Sequence, residues 1–238
     1  MRVIAGSARR LLLKTPDGLD TRPTTDRIKE TLFNMLMPYL SGAIFVDLFS
    51  GSGGIGIEAL SRGARKAYFV ENSQKAIDCI TDNLQHTHLN EQAVVVKQDV
   101  FAAIRGSIRE DAVDVIFMDP PYDQQYEKRA LEILKDCSFV TEDTLIVVEA
   151  SLDTDLSYAE ALGYTIEKEK IYTPLLKETN KDIEKLKKAA DIVGKIGTGI
   201  VGMAALAGIV KISNKGENSR EDIEYMDEDF GQKYGWKK

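Results

Sequence analysis

The eleven residues from Val46 to Gly56, VDLFSGSGGIG, constrain this chain more than any other stretch. They open apolar, carry one acid at Asp47, and turn through Gly51, Gly53, Gly54 and Gly56 into Ile57-Glu58-Ala59-Leu60. That order reads as a strand, a tight glycine turn and the start of a helix. Glycines let backbone N–H groups come close to a ligand, and a helix N-terminus offers donors with no partner of their own. The signal is a nucleotide-type cofactor site. Gly51-x-Gly53-x-x-Gly56 also fits a dinucleotide-binding turn, so this stretch alone leaves a nicotinamide-dependent oxidoreductase open.

A second motif, Asp119-Pro120-Pro121-Tyr122, follows a nearly continuous apolar run, Val113 to Met118. Prolines stiffen a loop and lack an N–H, so carbonyls rather than amides face a pocket there. The Asp119 carboxylate and the Pro120 carbonyl suit an amino group with two hydrogens to give. Holding both hydrogens turns the nitrogen lone pair toward an electrophile. Tyr122 adds a flat face on which a base can stack. A methyl group on a sulfonium is already activated, so positioning and electrostatics carry the chemistry without a metal or a covalent nucleophile. An oxidoreductase gives this motif no task, and its turn ordinarily follows a strand with no acid at the Asp47 position. Another reading of the same chemistry is an amino-methyltransferase of adenine or cytosine in DNA or other RNA.

The pattern between and around these motifs alternates. Strands are expected at 43–49, 67–70, 93–97, 113–118, 144–149 and 164–171, with helices near 27–36, 55–62, 73–85, 100–108, 125–135 and 156–162. Such alternation predicts an α/β fold, a doubly wound and mostly parallel sheet with helices on both faces. Ligands in these folds sit beyond the C-terminal ends of the strands. Asp47 to Gly53 (with Phe49), Glu71, Asp99 and Asp119 to Tyr122 all fall at that edge. Glu71 lies twenty residues beyond Gly51, where a carboxylate accepts from ribose hydroxyls. Asp99, just past a strand, is placed to meet an adenine amino group.

Net charge is −7, which by itself argues against nucleic acid as a partner. Its distribution says otherwise. Residues 1–37 hold seven Lys/Arg against four Asp/Glu, a balance of +3, whereas 38–178 hold thirteen against twenty-four, a balance of −11. A basic arm on an acidic body suits contact with phosphate at one edge. Arg2, Arg9 and Arg10 fall on a short hairpin expected near 2–14, and Arg22, Thr24 and Arg27 around the start of the first helix. All six are candidates for contact with RNA. Cys79 and Cys137 lack metal-like spacing and read as thiols of a reducing compartment. His86 and His88 read as a solvated helix end, so no metal site is expected. Met1 to Ser7 lacks the apolar run of a signal peptide, and the cytoplasm is the expected location.

The motifs together resemble one family. R-V-I-A-G-x-x-R-R-L-L-L at 2–13, R-P-T-T-D-R-I-K-E-T-L-F-N at 22–34, E-A-L-S-R-G-A at 58–64, the D-L-F-x-G-x-G turn and D-P-P-Y are similar to the RsmD family. These are bacterial methyltransferases that act on guanine N2 of 16S ribosomal RNA. The resemblance covers about residues 1–172. It implies S-adenosylmethionine as methyl donor and 16S ribosomal RNA, free or within a small-subunit assembly, as partner; no stable protein partner is expected. It places the cofactor turn on Asp47 to Gly53, the ribose acid on Glu71, the adenine-side acid on Asp99 and the amine clamp on Asp119 to Tyr122. It also implies that 22–34 closes over cofactor and substrate.

Three regions are therefore expected: an arm and cover at 1–40, a methyltransferase core at 41–172, and an atypical extension at 173–238. The chain departs from the family pattern after Tyr172, where a final strand completing a hairpin against the sheet is expected and not apparent. Ile196 to Val210 is fifteen residues without a charge. It reads as part of a helix over about 180–212 that packs on protein or touches a membrane. Residues 213–238, with six acids between Glu221 and Asp229, read as disordered, and the whole of 179–238 is expected to be dispensable for a soluble, active enzyme.

Overall fold

The computed structural model describes residues 1–16, 26–121, 124–149, 156–166 and, as backbone, 212–214. Its elements are α1 (Asp26–Leu40), β1 (Ile44–Asp47), α2 (Gly54–Ser61), β2 (Lys66–Glu71) and α3 (Gln74–Thr87). They continue with β3 (Ala93–Lys97), α4 (Val100–Gly106), β4 (Val115–Met118), α5 (Tyr126–Leu134), β5 (Leu145–Val148), α6 (Tyr158–Ala161), β6 (Tyr164–Ile166) and β7 (Ile212–Asn214).

Five parallel strands form the central sheet in the order β3-β2-β1-β4-β5. The apolar runs explain this: β1, β4 and β5 are buried along their whole length, as strands covered on both faces must be. The order in which the chain lays down its strands reverses between β1 and β4, and sheets of this kind bind ligands at the strands' C-terminal ends beside such a point. The sheet divides the interior in two. One cluster joins Val46, Ile116 and Ile146 to α4, α5 and α6 through Ile104, Leu131 and Ala159. The other joins Phe45, Phe69 and Phe117 to α1, α2 and α3 through Phe33, Ile57 and Ile80.

The N-terminal segment belongs to this second cluster. Val3, Ala8 and Leu13 are buried in it beside Leu32, Leu36 and Leu40 of α1. The expected hairpin strands reduce to one antiparallel bridge, Arg2 with Leu12. Hairpin-like bonds remain from Val3 N to Leu11 O and from Arg10 N to Val3 O. Between them, Arg9 N bonds to Gly6 O and Leu11 N to Ala8 O, and these local turns displace a regular ladder. Gly6 (φ +84°) is pressed onto α2: a Cβ there would lie 1.7 Å from the Ser61 carbonyl oxygen. The Ser61 hydroxyl donates to Ala5 O and accepts from Ala8 N.

Two further expectations are corrected. Helix α1 extends beyond Leu36 to Leu40, through Pro38, because Leu36 and Leu40 lie one turn apart on the face that meets the core. The final strand is present after all. Ile212–Asn214, assigned from sequence to a helix end and a disordered tail, pairs antiparallel with β6, Ile166 opposite Ile212, and lies beside β5. The uncharged run at 196–210 lies outside the described residues. Among the described residues no helix is long and apolar enough to cross a membrane.

Candidate methyl-transfer site

The glycine turn is tied to both neighbours of β1. Leu48 N donates to Phe117 O at the end of β4 (2.9 Å), and Ser50 N to Val70 O in β2 (3.1 Å). Gly51 and Gly53 take positive φ values of 51° and 78°, which a side chain would resist. Gly53 is the N-cap of α2 and contributes no side-chain cap, and of the N–H groups in the first turn Gly56 N is taken by Asp47. Gly56 lets the helix lie on the sheet, since a Cβ there would sit 2.4 Å from the Phe69 ring.

Acids stand at four strand ends, and two of them, Asp47 and Glu71, bond to this turn. Asp47 is 1% exposed. Its Oδ2 accepts from Gly56 N at 3.3 Å, while its Oδ1 is buried with no hydrogen-bond partner. Burial pushes the Asp47 carboxyl up to about 7, and the negative charges of Asp119 and Glu71 add to that. Glu71 is half-buried at the end of β2. Its Oε2 accepts from Gly51 N (3.0 Å) and its Oε1 from Asn72 N and Ser73 N (2.9 Å each), so it also shapes the turn. Asp99 caps α4, with Oδ1 accepting from Phe101 N and Ala102 N.

Asp119 follows β4 directly and burial raises its carboxyl to about 6. Pro120 is buried and Pro121 exposed. Glu149, at the end of β5, was not singled out from sequence. Its carboxyl is raised to about 8, by burial first and by the Asp119 charge second. The signal for it was the same as for its neighbours, an acid ending an apolar run, but no motif surrounds it.

Phe49 stands in the loop between β1 and α2. It stacks on Tyr126 (centroids 6.2 Å apart, planes at 18°), and Tyr126 meets Phe101 edge-on at 5.3 Å. The Arg129 guanidinium lies 3.9 Å from the Phe101 ring centroid. This row of rings runs from the glycine turn to the Asp99-capped helix.

The candidate RNA residues lie elsewhere on the surface. Arg2, Arg9, Arg10 and Arg27 are exposed, and Arg2 pairs with Asp26 at 2.7 Å. Arg22, Thr24 and Tyr122 lie outside the described residues. Sequence reasoning also missed a buried ionic cluster between this arm and α2. Lys29 and Glu58 are both fully buried, with Lys29 Nζ 3.3 Å from Glu58 Oε2. Glu58 also accepts from Arg62 Nε and from the backbone N–H of Ile4 and Ala5, while Lys29 Nζ donates to Arg2 O. Burial pulls the Lys29 amine down from its ordinary value. Among the described residues no cluster of His, Cys, Asp and Glu could hold a metal ion.

A five-stranded parallel sheet of this order, with a glycine turn after β1 and a carboxylate-proline end to β4, defines a Rossmann-like methyltransferase of the S-adenosylmethionine-dependent class. The family described as Conserved hypothetical protein 95 matches residues 1–174. The chain is 38% identical over 173 residues to ribosomal RNA small subunit methyltransferase D of Haemophilus influenzae, covering 71% of this chain and 88% of that one. It is 43% identical over 157 residues to the YlbH protein of Bacillus subtilis (66% and 85% covered). The crystal structure of a candidate methylase from Haemophilus influenzae superposes with a TM-score of 0.62 at 29% identity, over 90% of this chain and 98% of that one. The chain belongs to the family of ribosomal RNA small subunit methyltransferase D.

Proposed function

We propose that this protein methylates the exocyclic N2 amine of a guanine in 16S ribosomal RNA, in the cytoplasm, with the naked RNA or an assembling small subunit as substrate. The reading is supported by its family and, above all, by one juxtaposition. The Asp119-Pro120 strand end stands beside the glycine turn, close enough for the Asp119 charge to act on Asp47.

The residues fit S-adenosylmethionine. Asp47 carries a buried oxygen with no partner, an acceptor suited to a cationic ligand. Gly51 faces open space, so the turn admits a ligand against its backbone there. In this reading Asp47, Phe49, Gly51 and Gly53 hold the cofactor, Glu71 its ribose and Asp99 its adenine. When bound, the sulfonium supplies an activated methyl group. Asp119 and the Pro120 carbonyl accept the two amine hydrogens of the base and aim the nitrogen lone pair at the methyl. The surrounding apolar strand ends exclude water and strengthen both hydrogen bonds. The 1–40 segment acts as RNA arm and cover in this scheme.

The test is substitution of the clamp. Asp119→Ala lowers kcat by on the order of 100-fold or more, the usual scale for a lost positioning contact in the transition state, while cofactor affinity stays within a few-fold. Calorimetry with S-adenosylmethionine and a tritium-transfer assay on unmethylated small subunits measure both. Near-normal turnover in this variant defeats the assignment of the clamp, and tight binding of NAD by the unaltered protein defeats the function.

A further inference from the structure

The clamp described above is complete with Asp119 and Pro120, and it gives Glu149 no role. Glu149 is nonetheless built into the same pocket edge. Met118 and Val148 are paired neighbours in the β4–β5 ladder, and Glu149 N donates to Met118 O at 2.8 Å. Asp119 and Glu149 are thus the next residues on two adjacent parallel strands, whose backbones run roughly 4.8 Å apart. The two carboxyls feel each other's charge, and both have been taken largely out of water. Among the described residues the Glu149 carboxyl makes no hydrogen bond of its own. A half-buried acid held against a second acid is unfavourable unless a ligand supplies its partners.

Guanine supplies them. Its polar edge presents O6, then N1–H, then the N2 amine. The two ends of that edge lie about one strand spacing apart, the spacing of the two backbones that carry Asp119 and Glu149. With N2 on Asp119, a guanine that turns this edge toward β5 brings N1–H and O6 to Glu149. We infer that Glu149 is a specificity-determining residue, its carboxyl accepting from guanine N1–H and donating to O6. This rests on the guanine reading proposed above. A neutral carboxyl offers one acceptor and one donor side by side, matching that pair, and the raised Glu149 pKa is in keeping with it. Because both groups are desolvated, a base lacking N1–H and O6 leaves them unpaired and is rejected.

The test pairs a change in the protein with a change in the base. Small subunits are reconstituted around 16S RNA carrying either guanine or 2-aminopurine at the methylated position. 2-Aminopurine keeps the N2 amine and lacks both N1–H and O6. Full-length wild-type protein is expected to prefer guanine by ~10–100-fold in kcat/KM. Glu149→Ala lowers kcat/KM on guanine by a similar factor and leaves 2-aminopurine unchanged, so the preference vanishes. Glu149→Gln, whose amide also sets an acceptor beside a donor, keeps most of the guanine activity. Equal losses on both bases in Glu149→Ala indicate a purely structural role and overturn the inference, as does a preference that survives the substitution. If the wild-type protein methylates neither base, the proposed function fails and the inference falls with it.

Discussion

Asp47 and Glu58 stand on either side of one glycine turn, and both are sealed from solvent at 1% and 0% exposure. Glu58 is surrounded by donors: two backbone N–H groups, the Arg62 guanidinium and the Lys29 ammonium. Asp47 accepts from Gly56 N through one oxygen and keeps the other bare, with Asp119 and Glu71 adding negative charge. One carboxylate is satisfied by the chain itself and locks the N-terminal segment onto α2. The other is left in deficit at the strand ends. A buried polar group that the fold does not satisfy is costly, and in the function proposed above the cofactor completes it.

The sharpest way to break this contrast is at Glu58. Glu58→Ala leaves Lys29 buried without its counter-ion and frees the Ile4 and Ala5 amides. Stability falls by about 3–5 kcal/mol, the usual scale for removing one partner of a buried pair. Chemical denaturation followed by circular dichroism measures this, and limited proteolysis shows release of the segment before α1. A loss under about 1 kcal/mol means the arm is held by its apolar contacts alone.

The opposite substitution sharpens the contrast. Asp47→Asn removes an ionised group that burial disfavours, so the protein measured without cofactor gains on the order of 2 kcal/mol at pH 8. The sign follows from the shift. The folded carboxyl holds its proton up to about 7, well above its ordinary value of 3.8. Between those values the folded state binds more protons than the unfolded one, so stability declines as pH rises from about 4 to about 7 and then levels. Asp47→Asn loses this decline, and S-adenosylmethionine binding weakens at the same time. Thermal melts across that pH range, with and without cofactor, separate the two effects. A variant that loses stability at pH 8 contradicts the account.

Much of this was readable in the chain and some was not, for physical reasons. The strand ends carrying Asp47, Glu71, Asp99 and Asp119 were legible because buried parallel strands are continuous apolar runs and an acid after such a run stands out. Lys29 was not, since a lysine on a helix reads as a solvated position until its partner, twenty-nine residues away, is known. The hydrophobic role of Val3, Ala8 and Leu13 was masked by the arginines between them. β7 was hidden for the same reason as Lys29: three residues have no periodicity of their own, and their pairing with β6 is set across the chain.

That strand yields a smaller effect. Ending the chain at Lys211 removes the partner of β6 and costs ~1–2 kcal/mol, from three lost cross-strand pairs. It also bares a sheet edge that promotes association. Replacing residues 167–211 with a short turn, so that Ile166 leads back to Ile212 as an ordinary hairpin, restores the stability. Melting temperature and light scattering of the two variants decide the matter. If simple truncation leaves both unchanged, β7 contributes nothing and the extension is dispensable.

The smallest effect concerns the arm that Glu58 holds in place. Arg9 and Arg10 are exposed on the turn that Gly6 begins, and Arg10 itself takes a positive φ of 72°. Arg2 differs, since its side chain is engaged by Asp26. If the turn rests on phosphates, Arg9→Gln and Arg10→Gln together lower RNA affinity for every sequence alike. They also flatten the slope of log K against log salt by roughly 0.7–0.9 for each charge removed. Arg2→Gln gives a shallower change, because part of its charge is already answered. These substitutions leave the buried face of the segment intact, so stability and cofactor affinity stay as they were. Filter binding of 16S RNA over a range of salt concentrations reads the slope directly. An unchanged slope in the double variant, with affinity lost for guanine-bearing targets alone, places the arm in base recognition rather than on the phosphate backbone.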